Sequence, residues 1–207
     1  MVPPYMVAIT IYGGYASSCR YFGGGQGHRG AAANANRGSG HGDTQCPTRD
    51  LSDNPLDIVE RLVERNDWAF DRRGDDEIAF QVPGTWCDYS LFFAWNDEVG
   101  AMHFSCAFDM WVPDDRRPFV HELLAMVNEK LWMGHFGVWA DEGLPMFRHA
   151  MPLRGTRGPT LEQVEDLVDV AILECERFYP TFQYVIWGGN TASEAIAAAM
   201  VETMGEA

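Results

Sequence analysis

The stretch TLEQVEDLVDVAILECERFYPTFQYVIWGG, residues 160–189, is the longest regular pattern in the chain, and the residues after 51 read as built to cover one side of it. Its apolar residues fall at Leu161, Val164, Val168, Ala171, Cys175, Phe178, Phe182 and Val185, in alternating steps of three and four. That is the period of an amphipathic helix. Glu162, Glu165, Asp166, Asp169, Glu174 and Glu176 make the opposite side acidic. Thr160, with Gln163 three residues on, supplies a capping box at the start. Pro180 interrupts the ladder by removing the N–H that would bond the carbonyl of Glu176, at a cost of about 3 kcal/mol in a helix interior. Because the three-four spacing continues past it, the pattern predicts one kinked helix rather than two.

Working outward, Thr191 and Glu194 repeat the capping box and open a final helix that includes AIAAAMVETM. At the other end, DNPLDIVERLVERNDW predicts a first helix to about Asn66. Asn54 serves as its cap, Pro55 takes its first position, and Leu56, Val59, Leu62 and Val63 form its apolar face. From Trp68 the period becomes two. Trp68 and Phe70 alternate with polar or small neighbours, as do Ile78, Phe80 and Val82, then Cys87 to Trp95, then Met102 to Phe108. Short turns at Gly74, Pro83-Gly84 and Asn96-Asp97 make these four strands an antiparallel meander with one buried face. Pro113-Asp114-Asp115 is expected to open the next helix, with acids in its first turn and Gly134 as its stop. GHFGVWAD and LPMFRHAMPL then read as two more strands around Asp141-Glu142-Gly143. The order α-β-β-β-β-α-β-β-α-α predicts an α+β fold, an antiparallel sheet with helices packed mainly on its apolar face.

Charge and composition divide the chain of 207 residues at about residue 50. Residues 1–50 hold 10 of the 21 Gly, four Arg and two acids, whereas the remainder carries 11 basic and 28 acidic residues and all seven Trp. A Gly-rich polar tract buries too little apolar area to offset its ordering entropy, so residues 1–50 are expected to be a disordered leader. Alternatives are a translated upstream segment ahead of a native start near residue 50, or an RNA-binding tract, for which four Arg are few. A signal peptide is disfavoured because no Lys or Arg precedes the apolar run Met6–Ile11. Residues 51–207 are expected to form a single acidic domain that repels nucleic acid and anionic membranes. Cys19, Cys46, Cys87, Cys106 and Cys175 form no CxxC pair and leave an odd thiol under any pairing, which suits a cytoplasmic protein.

Chemistry-bearing patterns are few. The chain contains no GxxxxGK, GxSxG or HExxH, so neither phosphate-loop, hydrolase nor zincin chemistry is indicated. His103, His121, His135 and His149 are each more than ten residues apart, unlike metal ligands, and Cys87, Cys106 and Cys175 sit at core positions rather than beside a base. No catalytic residue, cofactor or metal is therefore assigned. The aromatic excess is the feature that remains. Trp132, Phe136 and Trp139 surround a helix-to-strand corner, either as large core side chains or as an apolar patch that another chain covers.

The segments NPLDIVERL (54–62), LWMGHFGVWADEGLPMFRHA (131–150), ERFYPTFQYVIWGG (176–189) and TASEAIAAAM (191–200) resemble the YbjN-type bacterial proteins, often labelled sensory transduction regulators, over about residues 52–207. The resemblance implies a fold similar to type III secretion chaperones. Those are helix-flanked antiparallel sheets, usually homodimeric, that hold an extended segment of a client on apolar surface. It carries over no catalytic or ligand motif. The expectation is a non-enzymatic cytoplasmic adaptor that recognises another polypeptide. The alternative is a small-molecule sensor with an aromatic-lined pocket between the sheet and the long helix.

Overall fold

The computed structural model describes residues 54–204, with side chains to residue 199; the leader expected over residues 1–50 lies outside the described residues. The element order is α1 (Leu56–Arg65), β1 (Phe70–Arg73), β2 (Glu77–Pro83), β3 (Asp88–Asn96), β4 (Ala101–Ala107), α2 (Arg117–Asn128), β5 (His135–Trp139), β6 (Leu144–Pro152), α3 (Leu161–Ile186) and α4 (Ala192–Met204). It is the α+β order that the sequence predicts.

The six strands form one antiparallel sheet in the order β1-β2-β3-β4-β6-β5. The meander supplies the first four, and the β5–β6 hairpin folds back so that β6 pairs with β4 and β5 lies at the edge. Register assigns each side chain to a face, because directly opposed residues point the same way. Phe80, Leu91, Cys106, Phe147 and Phe136 lie in successive register and face the helices, where they join one core with residues from all four helices.

α3 runs unbroken through Pro180 and buries Val164, Leu167, Val168, Ala171, Cys175, Phe178, Phe182 and Val185. Its start has the full capping box: Gln163 N–H donates to Thr160 Oγ1 at 3.2 Å, and Thr160 N–H donates to Gln163 Oε1 at 2.9 Å. Thr191 and Glu194 repeat the arrangement at α4. At α1, Asn54 Oδ1 accepts the Leu56 N–H at 2.9 Å, the capping contact expected of it. Aromatic rings fill the layer between the sheet and α3. Phe108 lies 5.2 Å from Phe182, and Phe136 lies 5.6 Å from Phe147 and from Phe182, mostly edge-on or tilted, the geometry that ring quadrupoles favour.

The second helix departs from the sequence reading. Asp114 and Asp115 do not cap it; residues 113–116 close as a turn, with Arg116 N–H on the Pro113 carbonyl at 2.9 Å, and α2 starts at Arg117 with no acid in its first turn. Pro118 sets that start, because proline fits the first helical turn, where its missing N–H costs nothing. The helix also stops at Asn128, before Gly134. There the Asn128 side chain turns back to grip Phe136, accepting its N–H at 2.7 Å and donating to its carbonyl at 3.1 Å.

Candidate functional site

Strand alternation separates the three aromatics proposed for partner binding. Phe136 points toward the helices and is 1% exposed, so it is a core residue and no part of a surface patch. Trp139, three residues on, lies on the face opposite the described helices, half-buried, with the Arg148 guanidinium 5.9 Å from its ring. Trp132 precedes the strand and is fully exposed, next to the exposed Met133. The sequence marks the corner as aromatic, but only strand parity tells which ring faces water.

Other exposed rings stand elsewhere. Trp86, Trp111 and Trp187 are 46%, 58% and 61% exposed, and Phe119 is also exposed. The elements carrying three of them are tied together by arginine. Arg116 donates from Nε to the Val185 carbonyl at 3.0 Å, two residues before Trp187, and stacks over Phe119 at 4.6 Å. Arg117 donates to the Ala140 carbonyl at 2.8 Å in the β5–β6 turn, whose Gly143 packs against the Trp111 indole.

The face of β4, β6 and β5 opposite the described helices has a different character. None of these three strands contains Asp or Glu, in a chain with 30 acids, and Arg148 is their single Lys or Arg. Register sets Arg148 opposite Ser105 on one side and His135 on the other, with His103 two positions from Ser105 on the same face. Arg148 Nη2 is 3.4 Å from His103 Nε2. Burial, reinforced by Arg148, pushes His103 down to about 4. His135 is lowered by burial and by Arg148, and His149, which faces the helices, by burial and by His135. His121 is exposed on α2. Sequence reading passed over Arg148; the signal was the run of three strands without an acid.

Cys106 and Cys175 are fully buried between β4 and α3, with sulfurs 3.7 Å apart, and burial holds the Cys175 thiol well above its usual range. Cys87 is half-buried and raised to about 11 by burial. Such thiols are poor nucleophiles. Among the described residues, no three His, Cys, Asp or Glu converge as metal ligands would. The region between sheet and α3, where the alternative reading of a small-molecule sensor places its pocket, is occupied by the Phe108, Phe136, Phe178 and Phe182 rings. A cleft of about 440 Å³ opens instead on the outer side of α1, lined by Asn54, Asp57, Glu60, Arg61 and Arg157 among others. No helix among the described residues is long and apolar enough to cross a membrane.

The sequence profile of a family described as "YbjN: Putative bacterial sensory transduction regulator" matches residues 55–184. Among solved structures, the chain is similar to the crystal structure of YbjN from E. coli, described there as "a putative transcription regulator". Identity is 15%, the match covers 58% of this chain and 85% of that one, and the TM-score is 0.41. No curated protein matches the chain.

Proposed function

Because the chain belongs to the YbjN family, described as bacterial sensory transduction regulators, we propose that it works as a non-enzymatic cytoplasmic adaptor that recognises another polypeptide, a second copy of itself included. One observation carries the reading: Trp86, Trp111, Trp132 and Trp187, four of the seven Trp, are 46–101% exposed. Fully burying a large apolar side chain is worth about 1.5–3 kcal/mol, which Trp111, Trp132 and Trp187 largely forgo in the isolated chain and Trp86 forgoes in part. A partner that covers them recovers that energy, and Trp is enriched at the centres of such contacts. The family description supports a regulatory role. Homodimerisation through these rings, and a client held as type III secretion chaperones hold theirs, are the specific forms this reading takes.

In-cell photo-cross-linking tests it. Cross-linkers at positions 111, 119 and 187 are expected to give adducts of discrete mass, whereas one at the exposed Arg154 gives none. An adduct of twice the chain mass identifies the partner as a second copy. The absence of adducts from all three positions would falsify the adaptor reading.

A further inference from the structure

Two bonded loops bring acids and exposed rings together on one surface. Residues 109–116, between β4 and α2, meet residues 140–143, the β5–β6 turn: Val112 N–H donates to the Gly143 carbonyl at 2.8 Å, and Arg117 at the start of α2 donates to the Ala140 carbonyl. The two loops hold five acids, Asp109, Asp114, Asp115, Asp141 and Glu142, against one base, Arg116. Trp111 stands among them, more than half exposed, with its indole against Gly143, where a Cβ would come 3.0 Å from Nε1. Phe119 and Trp187, both exposed, adjoin the same loops, because Arg116 stacks over Phe119 and bonds the Val185 carbonyl.

The arginines already at this junction are engaged by the chain itself. Arg116 is held by the Val185 carbonyl and the Phe119 ring, and Arg117 by Ala140 and by Asp114 at 3.0 Å. Asp115 and Asp141 are exposed and pair with no cation among the described residues. An exposed indole bordered by unpaired carboxylates is the chemistry that recognises Arg or Lys, since the carboxylates pair with the charge while the ring face attracts it. Arg116, 4.6 Å from the Phe119 centroid, is a guanidinium held on a ring in this way at the same junction. Charge also selects among partners. Residues 51–207 carry 28 acids and 11 bases, so a second copy brings like charge to these loops and a basic segment brings the opposite.

We infer that this junction docks a basic segment of another protein, with an Arg or Lys side chain stacked on Trp111 and paired with Asp115 or Asp141, while apolar parts of the segment cover Phe119 and Trp187. The inference rests on the adaptor reading and names the chemistry of the partner.

The test is an NMR titration of the full chain in about 0.15 M NaCl, where a screening length of about 8 Å leaves local charge to decide the contact. Indole N–H resonances of Trp111, Trp132 and Trp187 are assigned by their loss in single Trp→Phe variants. The probes are peptides of about ten residues, long enough to cross the junction, alternating Arg with Ser or Glu with Ser. The Arg–Ser peptide is expected to shift Trp111 and Trp187 and to leave Trp132 unmoved, since Trp132 is fully exposed but precedes β5, whereas the acidic turn follows it. The Glu–Ser peptide shifts none of them. Read at Trp187, Trp111→Leu should weaken binding by about threefold, the loss of one exposed cation–ring contact. Asp115→Asn combined with Asp141→Asn should weaken it by about fivefold, and both positions are exposed, so the fold survives the change. Asp166→Asn combined with Asp169→Asn removes the same charge from the exposed side of α3 and should leave binding as it was.

Equal shifts at Trp132, or an equal loss in the α3 variant, would reduce the response to net charge and overturn the inference. Silence to the Arg–Ser peptide, or an equal response to Glu–Ser, overturns it as well. In the cross-linking experiment, an adduct of twice the chain mass at position 111 would put a second copy in place of the basic partner and overturn it too. Adducts of other masses at 111, 119 and 187 combined with silence here would remove this inference and leave the adaptor reading standing.

Discussion

The indole N–H of Trp86, in the β2–β3 turn, donates at 3.1 Å to the carbonyl of Glu176, the helical acceptor that Pro180 leaves without its own donor. The surroundings reinforce the contact. Trp86 stacks on Tyr179 with centroids 6.1 Å apart, and Thr85 N–H donates to Glu176 Oε1 at 2.6 Å. A proline that would otherwise strand a carbonyl thus creates the docking point for a turn 90 residues earlier. Trp86→Phe, which keeps the ring and loses the donor, is expected to cost about 1 kcal/mol in the wild-type background. In Pro180→Ala, where residue 180 regains its N–H, the same change should cost close to nothing. Urea denaturation of the four proteins measures the coupling, and additive effects would refute the account.

Phe136 and Trp132 should separate sharply in stability. Phe136→Ala empties a site ringed by Phe108, Phe147, Phe178 and Phe182 and is expected to lose about 3–5 kcal/mol. Trp132→Ala removes a fully exposed ring and should stay within about 0.5 kcal/mol of wild type. Asn128→Ala leaves the N–H and carbonyl of Phe136 without their present partner and should fall between them, at about 2 kcal/mol. Equal losses for Phe136 and Trp132 would mean that the corner is placed wrongly.

What the sequence made legible was whatever depends on local period. Leu161 to Val185 at three-four spacing, the Thr160–Gln163 and Thr191–Glu194 boxes and the alternation of Met102, Phe104 and Cys106 all report which side of an element is buried, and each appears as read. What it concealed depends on pairing between distant strands. The return of β6 to β4 places Arg148 beside His103, 45 residues away, and no local pattern carries that distance. The start of α2 was misread for another reason. Asp114 and Asp115 suit a first helical turn and an ordinary turn equally well, and the latter prevailed, so that Asp114 pairs with Arg117 at 3.0 Å instead of capping.

Gly134 and Gly155 both have positive φ, +66° and +82°, but only one is also crowded. A Cβ at Gly134 would stand 2.2 Å from Phe147 Cζ and 2.8 Å from the Arg148 carbonyl, whereas one at Gly155 meets nothing within 4 Å. Gly155→Ala should therefore cost only the backbone term, about 1–2 kcal/mol. Gly134→Ala should add an overpacking penalty of about 1–3 kcal/mol, because Phe147 is fully buried and cannot swing aside. Comparing urea midpoints at unchanged m-value decides it, and a Gly134→Ala protein no less stable than Gly155→Ala would count against the tight corner.

The histidines of the acid-free strands make stability depend on pH in a stated direction. His103 has a folded-state value of about 4, below the ordinary 6.5, chiefly because burial disfavours the cation, with Arg148, His135 and His149 adding to the effect. Between those two values the unfolded chain takes up the proton before the folded one does. The contribution of a neutral His103 is therefore fully present above pH 6.5 and is lost as the pH falls toward 4. One proton sets an upper slope of about 1.4 kcal/mol per pH unit, reduced here because solvent reaches part of the ring. His135 and His149 are lowered in the same sense and act in the same direction. His103→Gln removes the largest of these terms, so its stability should fall less steeply than wild type between pH 6.5 and 4 while the two run parallel above pH 7. Parallel curves across the whole range would show that His103 titrates as an ordinary surface histidine, and that Arg148 exerts no effective charge on this face.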